Sequence, residues 1–527
     1  LAKVLVSDPV AAEGVAILRR AGLEVDVRTG LSGAELKEII GEYEGLAVRS
    51  ETKVTAEILE AAHKLKIIGR AGVGVDNIDV PKATEKGILV VNSPEGNTIA
   101  AAELTVALFF ALSRSVPQAH QSMKAGEWKR SKFVGVELYG KTAGVIGLGK
   151  IGREVAKRLK AMEMPILAYD PFLGKEQAEA LGVQLVDLDT LYRNADFITV
   201  HVPKTKETTG LISDAQLAVM KDGVRLINVA RGGIYDEAAL LRGLESGKIG
   251  GAALDVWESE PVAPDSPLAL HPKVVATPHL GASTEEAQVG VAVDIAEQIV
   301  AVLQGGSARA AVNMPSLPAE ILHRTAPYLT LAEKMGSLKA QLARGSVTAV
   351  EIRYEGEFDT AQTVHLTRAV LKGLLVPALG ESVNYVNAPA LAASRGVKVT
   401  ESRGPRSDDY ERQITVLATD DRGTHAVTGT VFGKNDPHIV FLDTYPVDFR
   451  PSGHHIMVRN HDRPGMIGKI GTILGEGGVN IAGMYVGRDE KDGTAVMALS
   501  VDTAASPEVT ETIRSLDGIL SVRHVVL

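Results

Sequence analysis

The stretch 141–170, KTAGVIGLGKIGREVAKRLKAMEMPILAYD, limits what this chain can fold into more than any other. An apolar run through Ala143, Val145 and Ile146 stops at Gly147, and Gly147, Gly149 and Gly152 then fit G-x-G-x-x-G. Strand, tight turn and helix must follow one another there. Glycine alone lets the backbone turn sharply, approach a pyrophosphate and pack the helix close to the strand. The helix is expected to begin near Ile151, with its free N–H groups and dipole facing the phosphates. Asp170 closes the next apolar run, 18 residues after Gly152, where an acid accepts hydrogen bonds from an adenosine ribose. Pro171 and Phe172 follow it, with no arginine for a 2′-phosphate, so NAD is expected rather than NADP. The competing view, an ordinary glycine-rich turn, leaves the acid in register unexplained.

A chain of 527 residues with 45% hydrophobic and 23% charged residues is expected to form several globular domains. A net charge of −9 without a basic stripe argues against nucleic acid as a partner. With no cysteine, disulfides, thiolate catalysis and Cys-based zinc sites are excluded. The 13 histidines never form H-x-x-x-H, and His454-His455 reads as a strand-edge feature rather than a metal site. The opening LAKVLVSDP is too short an apolar run for a signal and is interrupted by Asp8. The longest apolar run, nine residues from Leu104 to Leu112, is about half a membrane span. No membrane partner is expected, and the cytoplasm is the default location.

Residues 1–98 alternate strands (3–7, 23–28, 45–48, 66–68, 88–91) with helices (11–21, 33–42, 55–62, 80–86), the order of a doubly wound parallel sheet. Loops at its strand ends carry Arg49 and Ser50, then Gly72, Val73 and Gly74, then Asn97; each is either a surface turn or part of an anion site. Residues 98–124 read as one long apolar helix bent at Pro117, followed by Lys129, Arg130 and Lys132 beside Trp128. That cluster is a solvated turn or an arm carrying charge to a phosphate. The glycine stretch starts a second doubly wound sheet with later strands at 197–200, 225–228, 252–255 and 274–276. The segment 281–306, closing on Gly305-Gly306, reads as a helix expected to cross back onto the first domain, and 313–318 reads as a linker. Two α+β regions follow. In the first, from about 320 to 450, the polar run after Thr400 reads as a loop. The last 75 or so residues read βαββαβ, with Asp462 placed to cap the helix near 465.

Three segments end strands of the second sheet: INVARGG with Arg231, ALDVWESEP with Asp255 and Glu260, and TPHLGAS with His279 and Gly281. In open α/β sheets such ends converge on the ligand crevice. Together they supply what oxidation of a hydroxy acid needs. A guanidinium grips the carboxylate, a histidine takes the hydroxyl proton, and a glutamate stabilises the resulting imidazolium. His201, ending ITVHVP, is a rival base.

GLGKIG, HVPKTKETTGLI, LINVARGG, LDVWESEP and TPHLGAST, in this order, resemble the D-isomer-specific 2-hydroxyacid dehydrogenase family over residues 1 to about 313. The resemblance implies an NAD-binding Rossmann domain (99–283) inserted in a flavodoxin-like substrate domain (1–98 and 284–313). YVNAPALAASRGV, and HDRPGMIGKIGTILGEGGVNIAGM, are similar to the intervening domain (319–450) and ACT domain (454–527) of long, four-domain members that oxidise 3-phosphoglycerate. By resemblance Arg231, Glu260 and His279 are catalytic. Gly147, Gly149, Lys150, Ile151, Gly152, Asp170, Val202, Ala230, Arg231, Asp255, His279 and Gly281 hold NAD. Arg49, Ser50, Gly72, Val73, Gly74, Asn97, Lys129, Arg130 and Lys132 bind substrate, the last three lying in the region that reaches the substrate phosphate from a neighbouring subunit. Asp462 and Asn480 bind serine, and the protein is a homodimer or homotetramer without a metal. Asn460-His461 departs from an aromatic expected there. Two alternatives stand: a reductase for glyoxylate, hydroxypyruvate or lactate, and an NAD(H)-sensing regulator on the same fold.

Overall fold

The computed structural model describes residues 1–317, 319–407, 409–489 and 493–527. Four sheets follow one another along it. The first holds β1 (Lys3–Val6), β2 (Glu24–Val27), β3 (Gly45–Val48), β4 (Ile67–Arg70) and β5 (Leu89–Asn92), all parallel in the order β2-β1-β3-β4-β5. That order is flavodoxin-like. The second holds β6 (Ala143–Ile146), β7 (Ile166–Tyr169), β8 (Gln184–Leu185), β9 (Phe197–Val200), β10 (Val224–Asn228), β11 (Ile249–Leu254) and β12 (Val274–Ala276). Its order, β12-β11-β10-β9-β6-β7-β8, is the Rossmann arrangement with a seventh strand. Central strands such as β3, β6 and β9 are buried along their whole length, as both faces of a parallel sheet covered by helices must be.

The apolar stretch after residue 98 is two helices, Thr98–Arg114 and Val116–Lys124, at 64° to each other. Ser115 breaks them by taking a left-handed φ of 48°. Pro117 does not bend a helix; it lies in the first turn of the second one, where its missing N–H is not needed. The first helix lies on the second sheet, with Phe109 stacked 5.4 Å from Phe197. No single described helix is long and apolar enough to cross a membrane.

The helix Glu285–Leu303, capped by Thr284, returns to the first sheet. Its Ile299 and Ile295 fill the space over Gly69, and its Ala292 backbone presses on Gly14, where a Cβ would come to 2.7 Å. The domain around the first sheet is therefore built from two separate pieces of chain.

The third sheet holds β13 (Ala349–Gly356), β14 (Lys398–Gly404), β15 (Arg412–Asp420), β16 (Gly423–Phe432), β17 (Asp436–Leu442) and β18 (Tyr445–Phe449). It runs β14-β13-β15-β16-β17-β18, with only β13–β14 parallel. The first polar residues after Thr400, 401–404, are thus part of an edge strand rather than a loop, because one side of an edge needs no apolar neighbour; the described residues between Gly404 and Arg412 belong to no strand. Helices Ala319–Leu342 and Thr360–Leu379 pack through glycine, Gly336 against the Val370 carbonyl and Gly373 against the Glu333 carbonyl. Asn384, the residue just before YVNAPALAASRGV, ties this domain to the first by donating to the Gly87 carbonyl at 2.8 Å.

The last sheet holds β19 (His454–His461), β20 (Ile481–Asp489), β21 (Thr494–Val501) and β22 (Ile519–Val526), antiparallel in the order β20-β21-β19-β22. His454 and His455 lie on the central β19, not on an edge. His455 is fully buried between Ser452 and Ser500. Among the described residues no group of three or more His, Cys, Asp or Glu is placed to hold a metal ion.

Candidate active site

The carboxyl ends of the first two sheets face one another across a crevice bridged by two ion pairs, Lys150–Glu95 at 2.6 Å and Arg231–Asp76 at 3.1 Å. β6 ends at Gly147, whose φ of 92° suits glycine alone. A Cβ there would lie 2.6 Å from the His201 carbonyl oxygen, and a Cβ on Gly152 would lie 1.9 Å from the Gly147 carbonyl oxygen. Protein closes both positions. Gly149 meets nothing within 4 Å and precedes the helix Lys150–Ala161, whose first N–H groups have no side-chain cap. Two glycines used for packing and one left bare above uncapped N–H groups fit a dinucleotide pyrophosphate. Asp170 accepts from Leu148 N–H and Phe172 N–H, each at 2.8 Å, which ties the turn to the acid assigned to the ribose. Val202 packs against Gly147, Ile151 is half-buried, and the Ala230 N–H goes to Asn228 at 2.9 Å.

Arg231, Glu260 and His279 come together. His279 Nδ1 and Glu260 Oε2 are 2.8 Å apart, and Glu260 Oε1 accepts from Trp257 N–H at 3.0 Å. Partial burial pushes the Glu260 carboxyl up. The hydrogen bonds from His279 and Trp257 and the charges of His279 and Arg231 outweigh it, leaving the carboxyl below its ordinary range. His279 itself sits at a positive φ of 57°, held by its N–H on the Asp255 carbonyl at 2.8 Å. Asp255 is fully buried, and its carboxylate holds Thr277, Leu280 and Gly281. In this structure it organises the loop that carries the histidine. Arg231 is placed by Asn228, whose amide donates to the Arg231 carbonyl at 2.8 Å.

His201 belongs elsewhere. Its backbone supports Gly147, its Nε2 lies 3.1 Å from Thr199 Oγ1, and burial pushes its imidazole down to about 4. That makes it a poor proton acceptor near neutrality.

On the opposite wall, Arg70 lies over Gly72 so closely that a Cβ would touch the guanidinium at 1.6 Å. Burial and the charge of Arg231 push Arg70 down to about 10. Arg70 Nε, Ser93 Oγ, Asn97 Oδ1 and Thr98 Oγ1 are buried without a hydrogen-bond partner. Polar groups orphaned together call for a ligand. Asp8 supports Arg49 through its N–H at 2.6 Å, Asn92 holds the Val73 carbonyl at 2.5 Å, and Ser50 is exposed. Arg70, Asp8, Asp76 and Asn228 carry no motif that marks them as site residues in the sequence. Arg70 had a signal, as the charged residue closing a strand inside the glycine loop.

Lys129, Arg130 and Lys132 are exposed, and Glu127 takes the first and last at 3.0 and 3.6 Å. Among the described residues none of the three bonds to a crevice group of its own chain. Asp462 does not cap the helix Met466–Glu476, which starts at Gly465 with no side-chain cap; it pairs with Arg488 at 2.6 Å. Asn480 donates to Asp502 at 2.7 Å.

A cavity of about 340 Å³ lies where the third and fourth sheets meet, bordered by Lys339, Arg344, Arg422, Arg459 and Arg523 with Asp420 and Asp443. Lys339 is 5% exposed, and burial pushes its ammonium down to about 8.

Residues 106–281 match the family model for the NAD-binding domain of D-isomer specific 2-hydroxyacid dehydrogenases. Residues 324–443 match the intervening domain of D-3-phosphoglycerate dehydrogenase, and 454–518 match the ACT domain. The chain is 50% identical to D-3-phosphoglycerate dehydrogenase of Archaeoglobus fulgidus over 527 residues, all of both chains. It is 43% identical to that of Bacillus subtilis over 525 residues, 100% of this chain and 99% of the other. Among solved structures, D-lactate dehydrogenase of Aquifex aeolicus complexed with NAD and lactic acid matches at a TM-score of 0.52 and 30% identity, over 57% of this chain and 96% of that one.

Proposed function

The chain belongs to the D-3-phosphoglycerate dehydrogenases, NAD-dependent oxidoreductases of the D-isomer-specific 2-hydroxyacid dehydrogenase family, and from that premise we propose how its residues divide the work. The reaction converts 3-phosphoglycerate to 3-phosphohydroxypyruvate, opening the route to serine. Bound NAD supplies the hydride acceptor. Arg231 grips the substrate carboxylate. His279 takes the hydroxyl proton on Nε2, the nitrogen left free because Nδ1 faces Glu260. Glu260 fixes the ring and balances the charge it gains. Arg49, Arg70 and the loop through Gly72, Val73 and Gly74 receive the rest of the substrate. The 2.8 Å His279–Glu260 contact within reach of Arg231's charge carries this reading.

We further infer that Lys129, Arg130 and Lys132 serve the crevice of a second copy. This is supported by their exposure, by the pairing of Lys129 and Lys132 with Glu127 rather than with a crevice group, and by the exposed Trp128, Val134 and Tyr139 near them in the chain. The working form is then a homodimer or homotetramer, placed in the cytoplasm. L-serine is the proposed effector at Asp462 and Asn480, and the cationic cavity beside Lys339 is suited to an anionic one. The deciding experiment is a steady-state assay with 3-phosphoglycerate and NAD, with and without serine. Absence of turnover on 3-phosphoglycerate but turnover on glyoxylate or lactate would move the enzyme to another substrate.

A further inference from the structure

Arg231 rides on the nucleotide domain, yet its guanidinium is fixed from the other side of the crevice. Nε donates to Asp76 Oδ2 at 3.1 Å. Nη1 turns back to the Ala230 carbonyl at 2.7 Å. Nη2 lies against Gly74, where a Cβ would come to 1.8 Å. Gly74 and Asp76 both belong to the loop after β4, on the substrate domain. Asp76 is also, with Asp8, a carboxylate whose charge acts on Arg70, opposing the repulsion Arg70 feels from Arg231.

We propose that Asp76 is the positioning residue for Arg231. Because the two sit on different domains, the carboxylate-binding clip is complete only when the crevice is closed. An arginine binds a carboxylate well when its planar fork is held in one orientation before the ligand arrives. Here the Ala230 carbonyl and Gly74 limit the plane, and Asp76 sets its rotation. Asp76 is 70% exposed on its side chain, so as an ion pair it adds little to folding; its effect is on orientation. The second cross-crevice pair, Lys150–Glu95, joins different strand ends of the same two domains. The separation that seats Asp76 on Arg231 is thus also that of the cofactor side.

This rests on the functional reading above, and the test separates the two. Asp76→Ala and Asp76→Asn are made in the wild type and in Arg231→Lys, and initial rates are measured against 3-phosphoglycerate and against NAD. Asp76→Ala is expected to raise KM for 3-phosphoglycerate about tenfold, with the KM for NAD and the Tm unchanged. Asp76→Asn, which keeps an oxygen acceptor, recovers part of the loss. In Arg231→Lys, which lacks the fork, Asp76→Ala changes KM by less than about twofold. An unchanged KM in Asp76→Ala, or an equal loss in both backgrounds, overturns the proposal. If the wild type turns over a different 2-hydroxy acid, the functional reading fails while the same comparison on that acid still decides the role of Asp76.

Discussion

Alanine at Gly149 and at Gly152 should injure the protein in different ways. At Gly152 the new Cβ would meet the Gly147 carbonyl oxygen at 1.9 Å, against a closest tolerable approach of 3.0 Å. Helix and turn must therefore separate by about 1 Å. Overpacking of that kind costs about 2 kcal/mol, or roughly 4–8 °C of Tm in a domain of this size. At Gly149 there is nothing within 4 Å, and φ is −64°, so alanine fits. Its cost there is a weaker helix start, about 0.5 kcal/mol. The methyl group nevertheless points into the space assigned to the pyrophosphate and should raise the NAD dissociation constant by roughly tenfold or more, about 1.4 kcal/mol. Thermal unfolding without cofactor, beside a fluorescence titration with NADH, separates the two outcomes. If Gly149→Ala binds the cofactor like the wild type, the pyrophosphate does not lie over that glycine. If it unfolds as early as Gly152→Ala, the division between packing glycines and a contact glycine is wrong.

His279→Ala should lower kcat by about 10²–10⁴-fold while NADH still binds in the titration; retained turnover would send the search for the base back to His201. Glu260→Gln should cost about tenfold in kcat, a figure already reduced for the pair's partial exposure of 46% and 36%. Lys339 gives a pH signature. Its ammonium titrates at about 8 in the fold against 10.5 ordinarily. Between those values the unfolded chain holds the extra proton, so stability rises with pH across that window, by at most about 3 kcal/mol. Lys339→Met should remove the rise and raise Tm at pH 7; a rise that persists unchanged in the variant refutes the assignment to Lys339. Asn480→Ala should move half-inhibition by serine to higher concentration without changing kcat, and calorimetry with serine on both proteins checks it.

The features legible in the sequence were those written locally. Each glycine of 147–152 has a distinct steric duty, and the alternation of strand and helix gave the strands of both parallel sheets to within a residue or two at most ends, except β8, which at two residues is too short to carry a pattern. Arg231, Glu260 and His279 could be chosen because each follows a recognisable strand. What connects them was not legible: Asp76 is 155 residues from Arg231, and no periodicity links them. Ser115 misled in another way, because a serine in the left-handed region has no sequence mark and Pro117 beside it drew attention as the bend. β14 was hidden by its polarity, and Asp462 was given a local capping role although its partner, Arg488, lies on a different strand.

The helix Glu285–Leu303 has a consequence for synthesis. β3 and β4 leave Gly45 and Gly69 bare until Ile299 covers them, and that isoleucine is translated only after the whole nucleotide domain. The first residues to emerge from the ribosome therefore wait, with an apolar sheet face uncovered, while the second domain is made. Domains usually finish in the order they are made; here the first finishes after the second. A nascent chain stopped at residue 280 should be digested in its first 98 residues and protected beyond them, and one stopped at residue 340 protected throughout.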